Sequence, residues 1–378
     1  MEMMTRALEL AAQGTALASP NPMVGAVLVK DGKIVGQGYH TYKEKKHAEV
    51  LALEQANEAA RGATLFINLE PCCHAGRTGP CTDAILAAGV KKVVAAMVDP
   101  NPLVSGRGLE QLRRGGVEVE TGLCREQAER LNESFARYIR TGLPLITLKA
   151  AMTLDGKIAA PDDNTGWVTS EEARNYVQQQ RHASDAILTG VGTVVADDPL
   201  LTDRSGLPRR CPLLRVVMDS RLRIPPTARM LAEVEDDLLI FCSPLSNPAK
   251  RKELEQRGAR VCVLPPRSGP EHRPDPRPNL LEAVKELGER EITSVLVEAG
   301  AEMNWAALEA GVVDKVFLFY APKILGGTES MSMAGGLGIR AMKDALPVKK
   351  IQLHQFGPDF AVEGTLRDVY GNQSEPRA

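Results

Sequence analysis

Short apolar runs alternate with amphipathic stretches along the whole chain. Residues 3 to 17 carry apolar side chains at helical spacing, among them Leu8, Ala11, Ala12 and Leu17. Ser19-Pro20-Asn21-Pro22 interrupts them as a loop signal, and Gly25 to Tyr39 then predicts a β-hairpin that turns at Asp31-Gly32. Ala63 to Asn68, residues 91–98 and V-E-V-E-T up to Thr121 predict short strands. Helical spacing fills the intervals, opening at His47 and covering 81–89 and about 106–114. Residues 122–143 predict one helix that ends at Gly142, with Pro144 beyond it as a stop.

That stop sets a domain boundary at about 143, giving domains 1–143 and 144–370 and a polar, disordered tail over 371–378. The second domain opens with L-I-T-L-K-A-A-M-T-L-D-G-K-I-A, a strand running into a turn at Asp155-Gly156. Thr169 with Glu172 predicts a capping box for a helix over 170–182. Further strands are expected at 185–190, 213–219, 237–242, 260–264, 293–298 and 315–320, and helices at 248–257, 279–288 and 302–310. The stretch 264–280, dense in proline and charge, reads as an exposed loop. Strands alternating with helices predict an α/β layer sandwich in the first domain.

Composition narrows the function. The 378 residues are 43% hydrophobic and 25% charged, an ordinary globular balance with room for two cores. A net charge of -2 supplies no basic field for a nucleic-acid backbone. No apolar run reaches the length of a membrane span, and M-E-M-M-T-R has no signal-peptide pattern. A cytoplasmic protein is therefore expected, with neither nucleic acid nor membrane as partner. Seven cysteines, an odd number, fit a reducing compartment. Cys124, Cys211, Cys242 and Cys262 are isolated and read as small buried apolar residues.

The other three cysteines lie in the one stretch that carries unmistakable chemistry, N-L-E-P-C-C-H-A-G-R-T-G-P-C over 68–81, with His47-Ala48-Glu49 upstream. Catalytic zinc uses three protein ligands of imidazole and thiolate type and leaves a fourth position for water. His47, Cys72 and Cys81 are the expected ligands of one zinc per chain. Glu49 is then left over, and in zinc deaminases of nucleobases such a glutamate shuttles protons without binding the metal. Hydrolytic deamination needs a nucleophile at neutral pH and a proton route to the departing amine, which zinc and a carboxylate provide. The apolar spacing after His47 and Cys81 places both near helix starts, where partial positive charge favours a thiolate. Two rivals stay open: Cys73 in place of Cys72, and a closed structural zinc of Cys72, Cys73, His74 and Cys81.

The H-A-E, the L-E-P-C-x-H-x-G-R-T-x-P-C stretch and D-P-N-P-L-V-x-G-x-G resemble the deaminase half of the bifunctional riboflavin-biosynthesis deaminase/reductase family. The general cytidine deaminase pattern has two residues between its cysteines, whereas eight stand here, as in this narrower family. Gly79 stands where the family more often has proline. The resemblance implies a cytidine deaminase-like α/β/α sandwich with zinc and a phosphorylated pyrimidine as substrate. It also implies a pocket lined by Asn21, His40, His74, Arg77, Asp99 and Asn101.

The second half lacks G-x-G-x-x-G, so a Rossmann nucleotide site is not supported. It offers A-I-L-T-G-V-G-T over 186–193 and V-L-V-E-A-G-A-E-M-N-W over 295–305, glycine-bearing strand ends whose backbone N–H groups can hold phosphate or simply turn the chain. K-A-A-M-T-L-D-G-K-I-A, W-V-T-S, G-V-G-T-V-x-A-D-D-P-L-L-T, V-M-D-S and V-E-A-G-A keep the order of the same family's reductase half. That resemblance implies a dihydrofolate reductase-like α/β domain using NADPH. Cofactor contacts would come from Ala151, Trp167, Thr193, Asp197, Ser220, Gly300, Ala301, Glu302, Met303, Asn304 and Trp305. Substrate contacts would come from Thr165, Arg181, Leu201, Arg204 and Glu298. Arg181 and Arg204 suit a ribose phosphate, because guanidinium matches phosphate geometry. The family also forms homo-oligomers, so a dimer or tetramer is expected. Two rivals compete with this reading. One is a nucleic-acid base deaminase, against which the long cysteine gap and the lack of basic surplus speak. The other is a second half that only binds a ligand or builds an oligomer interface.

Overall fold

In the computed structural model, which describes residues 1–74, 79–162, 166–268 and 274–371, the chain opens with helix α1 (Glu2–Ala12). The helix stops short of the predicted residue 17 because the chain coils through tight turns, with Ala16 in a left-handed conformation (φ 58°). The predicted hairpin follows as β1 (Gly25–Lys30) and β2 (Lys33–Tyr39). Asp31 and Gly32 both have positive φ, 50° and 75°, the pair of angles a two-residue turn of this hand requires. Next come α2 (Ala48–Ala56), β3 (Thr64–Leu69), α3 (Cys81–Ala87), β4 (Lys92–Met97), α4 (Arg107–Arg114) and β5 (Glu118–Thr121). The sheet runs β2-β1-β3-β4-β5, with β1 antiparallel to both neighbours and β3, β4 and β5 mutually parallel. Met4, Ala7 and Leu10 of α1, Ala48, Ala52 and Ala56 of α2, and Leu65 and Ile67 of β3 share its core.

The single helix expected over 122–143 is two, α5 (Arg125–Leu131) and α6 (Glu133–Thr141). Asn132 breaks it. Its buried amide accepts from Met23 N–H at 2.8 Å and donates to Met23 C=O at 3.0 Å, so a contact 109 residues away in sequence sets the break. Asn68 donates to the same Met23 carbonyl at 2.9 Å and accepts from Gly25 N–H at 2.8 Å. Two asparagines thus fix the loop that carries Asn21.

The chain forms two compact units, Met1–Gly142 with Pro208–Arg210 and the chain end from Tyr370, and Leu143–Leu207 with Cys211–Val369. The second unit begins with β6 (Leu145–Thr153), β7 (Lys157–Ala159), α7 (Glu171–Ala183), β8 (Ala186–Gly190), α8 (Val191–Asp197) and β9 (Leu214–Met218). It continues through β10 (Leu238–Cys242), α9 (Pro248–Gln256), β11 (Arg260–Val263), β12 (Pro266–Ser268), β13 (Pro274–Pro278) and α10 (Leu280–Glu289). It ends with β14 (Ser294–Glu298), α11 (Ala301–Glu309), β15 (Lys315–Ala321), β16 (Met331–Ser332), β17 (Lys349–Phe356) and β18 (Asp359–Thr365).

Nine strands form one sheet in the order β11-β10-β9-β8-β14-β6-β15-β18-β17, parallel except around β18. Alternate residues of its central strands enter opposite cores. Leu188 and Val216 pack with Ala283 and Leu287 of α10, while Ile187 and Val217 pack with Val194 of α8 and Leu254 of α9. Burial on both faces explains why these strands read as unbroken apolar runs.

Three further expectations change. Ser170, not Thr169, caps α7, its hydroxyl accepting from Ala173 N–H at 3.3 Å. The flanks of the proline-rich stretch pair as the β12–β13 ladder instead of looping freely. Of the isolated cysteines only Cys242 is buried; Cys211 is exposed, on an irregular stretch before β9.

Asn132→Ala removes the partner of Met23 N–H and one of the two donors to its carbonyl, at a buried position. It should cost about 1–3 kcal/mol of unfolding free energy, measured by urea denaturation; an unchanged midpoint would mean that the α5–α6 break holds without this clamp.

Candidate functional site

In the first unit three elements converge. His47 is the N-cap of α2, Cys72 follows β3 by three residues, and Cys81 is the first residue of α3. Their donor atoms all lie within 4.8 Å of one another. His47 Nδ1 is 3.2 Å from Cys81 Sγ and 3.4 Å from Cys72 Sγ. A tetrahedral ion with bonds of about 2.0–2.3 Å spaces its ligands about 3.5 Å apart, so the set fits zinc in both chemistry and spacing. Among the described residues, Cys73 and His74 stand outside this cluster.

The electrostatics fit a cation as well. Hydrogen bonding from the Cys81 thiol, with His47 beside it, brings Cys72 down to about 4 against its burial. Cys81 is pushed up by the facing Cys72 sulfur and by burial. Two facing thiols cannot both ionise unless a positive charge stands between them. Glu49, in the first turn of α2, is only 3% exposed. Burial pushes its carboxyl up, and the Cys81 thiol lies against it. Among the described residues its Oε2 has no hydrogen-bond partner, so one oxygen is left for a reacting group.

Around this centre, Asn21 Nδ2 lies 2.9 Å from His40 Nε2, and His40 Nδ1 lies 3.2 Å from the Lys46 carbonyl oxygen. With Nδ1 as donor, His40 is a neutral ring accepting from Asn21, which agrees with burial lowering its pKa. Its ring meets His47 edge-on at 5.4 Å. Asp99 is buried, and burial with the Glu70 and Cys72 charges pushes it up to about 6. Asn101 N–H donates to Asp99 at 2.8 Å. His74 is exposed on the loop after Cys72, and Arg77 lies outside the described residues. Glu70 escaped the sequence reading. It is 3% exposed, and its carboxylate accepts four backbone N–H groups from residues 99–109.

In the second unit the sheet order gathers the candidates. Ser220 follows β9, Gly190 ends β8 with Thr193 just beyond it, Glu298 ends β14 with Gly300 two residues on, and Ala151 sits in β6. These four strands are adjacent and parallel, so their carboxyl ends form one rim, the usual ligand position in such sheets. Thr193 Oγ1 accepts from Gly300 N–H at 3.2 Å, tying the two glycine-bearing ends together. Asn304 is buried, its Oδ1 unpartnered among the described residues, near the start of α11, where N–H groups suit a phosphate. That orphaned oxygen and the helix start fit a dinucleotide. Ala301 is buried beside it, Met303 and Trp305 are half-buried, and Glu302 is exposed.

Arg181 of α7 grips Glu298 with both nitrogens, at 2.7 and 2.9 Å, and also donates to Thr202 C=O. The guanidinium expected to meet phosphate is thus already shared with a carboxylate. Lys149, absent from the sequence reading, pairs opposite Glu298 across β6–β14, with Nζ 3.6 Å from it. Burial alone would raise Glu298, but Lys149 and Arg181 overcome it and hold the carboxyl at about 2. Leu201 is buried with φ 54°, whereas Arg204 and Asp197 are exposed. Trp167 is 70% exposed with the Arg174 guanidinium over its ring, and Thr165 lies outside the described residues.

Two family models match the chain. One, described as RibD C-terminal domain, covers residues 144–362. The other, the cytidine and deoxycytidylate deaminase zinc-binding region, covers residues 1–97. The chain is 43% identical to the riboflavin biosynthesis protein RibD of Aquifex aeolicus over 95% of its length and 96% of that protein. It is 41% identical to RibD of Escherichia coli, covering 95% and 97%. Among solved structures, Acinetobacter baumannii RibD superposes with a TM-score of 0.82 at 36% identity, covering 96% and 98% of the two chains. A diaminohydroxyphosphoribosylaminopyrimidine deaminase/5-amino-6-(5-phosphoribosylamino)uracil reductase from Thermotoga maritima gives 0.77 at 33% identity, covering 96% and 97%.

The depressed Glu298 has a pH consequence. Its ordinary value is 4.5 and its folded value about 2. The unfolded chain therefore takes up that proton first, so the stability from the ion pairs is whole above about pH 4.5 and is lost as pH falls towards 2. Glu298→Gln should be less stable at pH 7 and show a shallower loss over that window in urea titrations. Equal slopes for the two proteins would show that Glu298 is not held ionised.

Proposed function

The chain belongs to the RibD family of riboflavin biosynthesis proteins, and from that premise we propose how its two sites divide the family's chemistry. It is a bifunctional enzyme, a hydrolytic deaminase and a reductase, and its cofactors are zinc and NADPH. Its substrate is a small phosphorylated pyrimidine, the 2,5-diamino-6-(5-phosphoribosylamino)pyrimidin-4-one on which the family acts. The first unit replaces the exocyclic amine at position 2 by oxygen, consuming water and releasing ammonia. The second reduces the ribosyl group to a ribityl chain. The match of the RibD C-terminal model through 362 speaks against a nucleic-acid base deaminase with an inert partner domain.

In this reading His47 Nδ1, Cys72 Sγ and Cys81 Sγ hold the metal. Zinc, when bound, acidifies water so that a nucleophile exists at neutral pH. Glu49 is the proton carrier. Its free, buried Oε2 takes the proton of the attacking water and passes it to the leaving nitrogen. Asn21, held by neutral His40, Asp99, Asn101, His74 and Arg77 bind the pyrimidine and its phosphate. The observation that carries the assignment is the three-donor cluster with an unpartnered carboxyl oxygen beside it.

In the second unit NADPH supplies the hydride. The rim from Ser220 through Thr193 to Gly300–Trp305, with Ala151, Trp167 and Asp197, holds it. Glu298, Arg181, Leu201, Arg204 and Thr165 bind the substrate, with Lys149 and Arg181 keeping Glu298 charged. The domains take residues 1–143 and 144–370. The assembly is a homo-oligomer, a dimer or tetramer, in the cytoplasm, a compartment that suits seven free thiols. Among the described residues no helix is long and apolar enough to cross a membrane.

Glu49→Gln should lower ammonia release about a hundred- to ten-thousand-fold while zinc per chain stays constant and NADPH oxidation on deaminated substrate continues. Loss of zinc from this variant would make Glu49 a ligand and defeat the assignment. Cys72→Ser should instead lose zinc and deamination together, read by metal analysis beside the same ammonia assay.

A further inference from the structure

Glu70 has no place in the chemistry above, yet it is among the most thoroughly bonded side chains of the first unit. It stands one residue past β3 and two before Cys72, and its backbone N–H extends the β3–β4 ladder by donating to Met97 C=O at 3.0 Å. Its Oε2 accepts from Asp99 N–H at 3.0 Å and Gly106 N–H at 2.8 Å. Its Oε1 accepts from Gly108 N–H at 2.8 Å and Leu109 N–H at 3.3 Å. A carboxylate offers about four lone-pair sites, and backbone donors fill all of them here. Two of the donors open α4, where the helix dipole adds to the attraction.

The two glycines of D-P-N-P-L-V-S-G-R-G follow from this arrangement. Gly106 has φ +82°, which turns its N–H towards the carboxylate. Gly108 lies so close that a Cβ would sit 2.1 Å from the Pro71 carbonyl oxygen. Segment 99–109 is therefore pressed onto the Glu70-Pro71 backbone that leads directly into Cys72. The segment carries Asp99 and Asn101, and Asn101 is fixed in turn by its N–H to Asp99 and by accepting from Leu103 N–H at 3.0 Å.

We propose that Glu70 is a positioning residue for deamination: its four backbone hydrogen bonds hold the substrate loop 99–109 at a set distance from the metal centre. It touches neither substrate nor metal and acts through the loop. Only a carboxylate serves, because all four partners are donors. A glutamine of the same shape would aim an NH2 at two of them, leaving those N–H groups unpaired and the loop displaced. The inference rests on the deaminase reading of the site.

The test compares wild type, Glu70→Gln, Gly108→Ala and the double variant as full chains loaded with zinc. Zinc per chain, kcat and KM for ammonia release, and NADPH oxidation on deaminated substrate are measured for each. Both single variants should keep their zinc and their reductase rate while KM for deamination rises about ten- to a hundredfold. Because both displace the same loop, the double variant should be little worse than the poorer single one. If kcat per chain instead falls in step with lost zinc or folded fraction while KM stays unchanged, Glu70 is merely structural and the proposal is overturned. Should Glu70→Gln fail to fold, the KM of Gly108→Ala decides by the same criterion. Absence of ammonia release from zinc-loaded wild type would defeat the deaminase reading itself, and this inference with it.

Discussion

Two sulfurs and an imidazole nitrogen meet in the first unit at 3.2 and 3.4 Å, and the surrounding structure answers to that meeting. Facing thiols repel once both are ionised, so a cation between them favours the fully ionised cluster. Each donor comes from a separate element, and none could reach the others without the sheet. The β1–β3 and β3–β4 pairings place the turn after β3, α2 delivers His47 from its cap, and α3 delivers Cys81 from its first residue. Helix starts face the thiolates, which adds favourable field where negative charge collects. Glu49 rides on the same α2 that His47 caps, so one donor of the cluster and the buried carboxyl share one rigid mount.

Around the cluster, buried polar side chains are spent mainly on backbone groups. Asn68 and Asn132 hold Met23, His40 holds Lys46, and Glu70 holds residues 99–109. Each of these polar side chains is buried, and burial makes a missing partner costly, so each admits essentially one loop conformation. Precision in the loops thus comes from a few buried polar anchors, while the apolar core supplies the platform.

The second unit solves a comparable problem with opposite charges. Glu298 is held towards its ionised form in a largely enclosed place because Lys149 lies across the sheet and Arg181 closes on it from α7. A buried carboxylate without those partners would take up a proton. The parallel strands bring this group beside the glycine-bearing ends of β8 and β14, so the charge and those glycines share one rim. Neither half depends on a nucleotide-binding glycine fingerprint.

What the amino-acid order determined by itself was local and chemical. The strand and helix alternation, the Asp31-Gly32 turn and the zinc motif were legible because periodicity, turn residues and ligand types act over a few residues. The strands β17 and β18 and helix α8 went unread, since β17 is an exposed edge with mixed polarity and α8 is only seven residues long. Tertiary structure alone decided the rest. The break at Asn132 depends on Met23, the shared guanidinium of Arg181 on Glu298, the charge of Glu298 on Lys149, and the task of Glu70 on a loop some thirty residues later. Each is a bond between residues far apart in the chain. The energy of such a bond depends on a distance and a degree of burial that exist only once the sheets have formed.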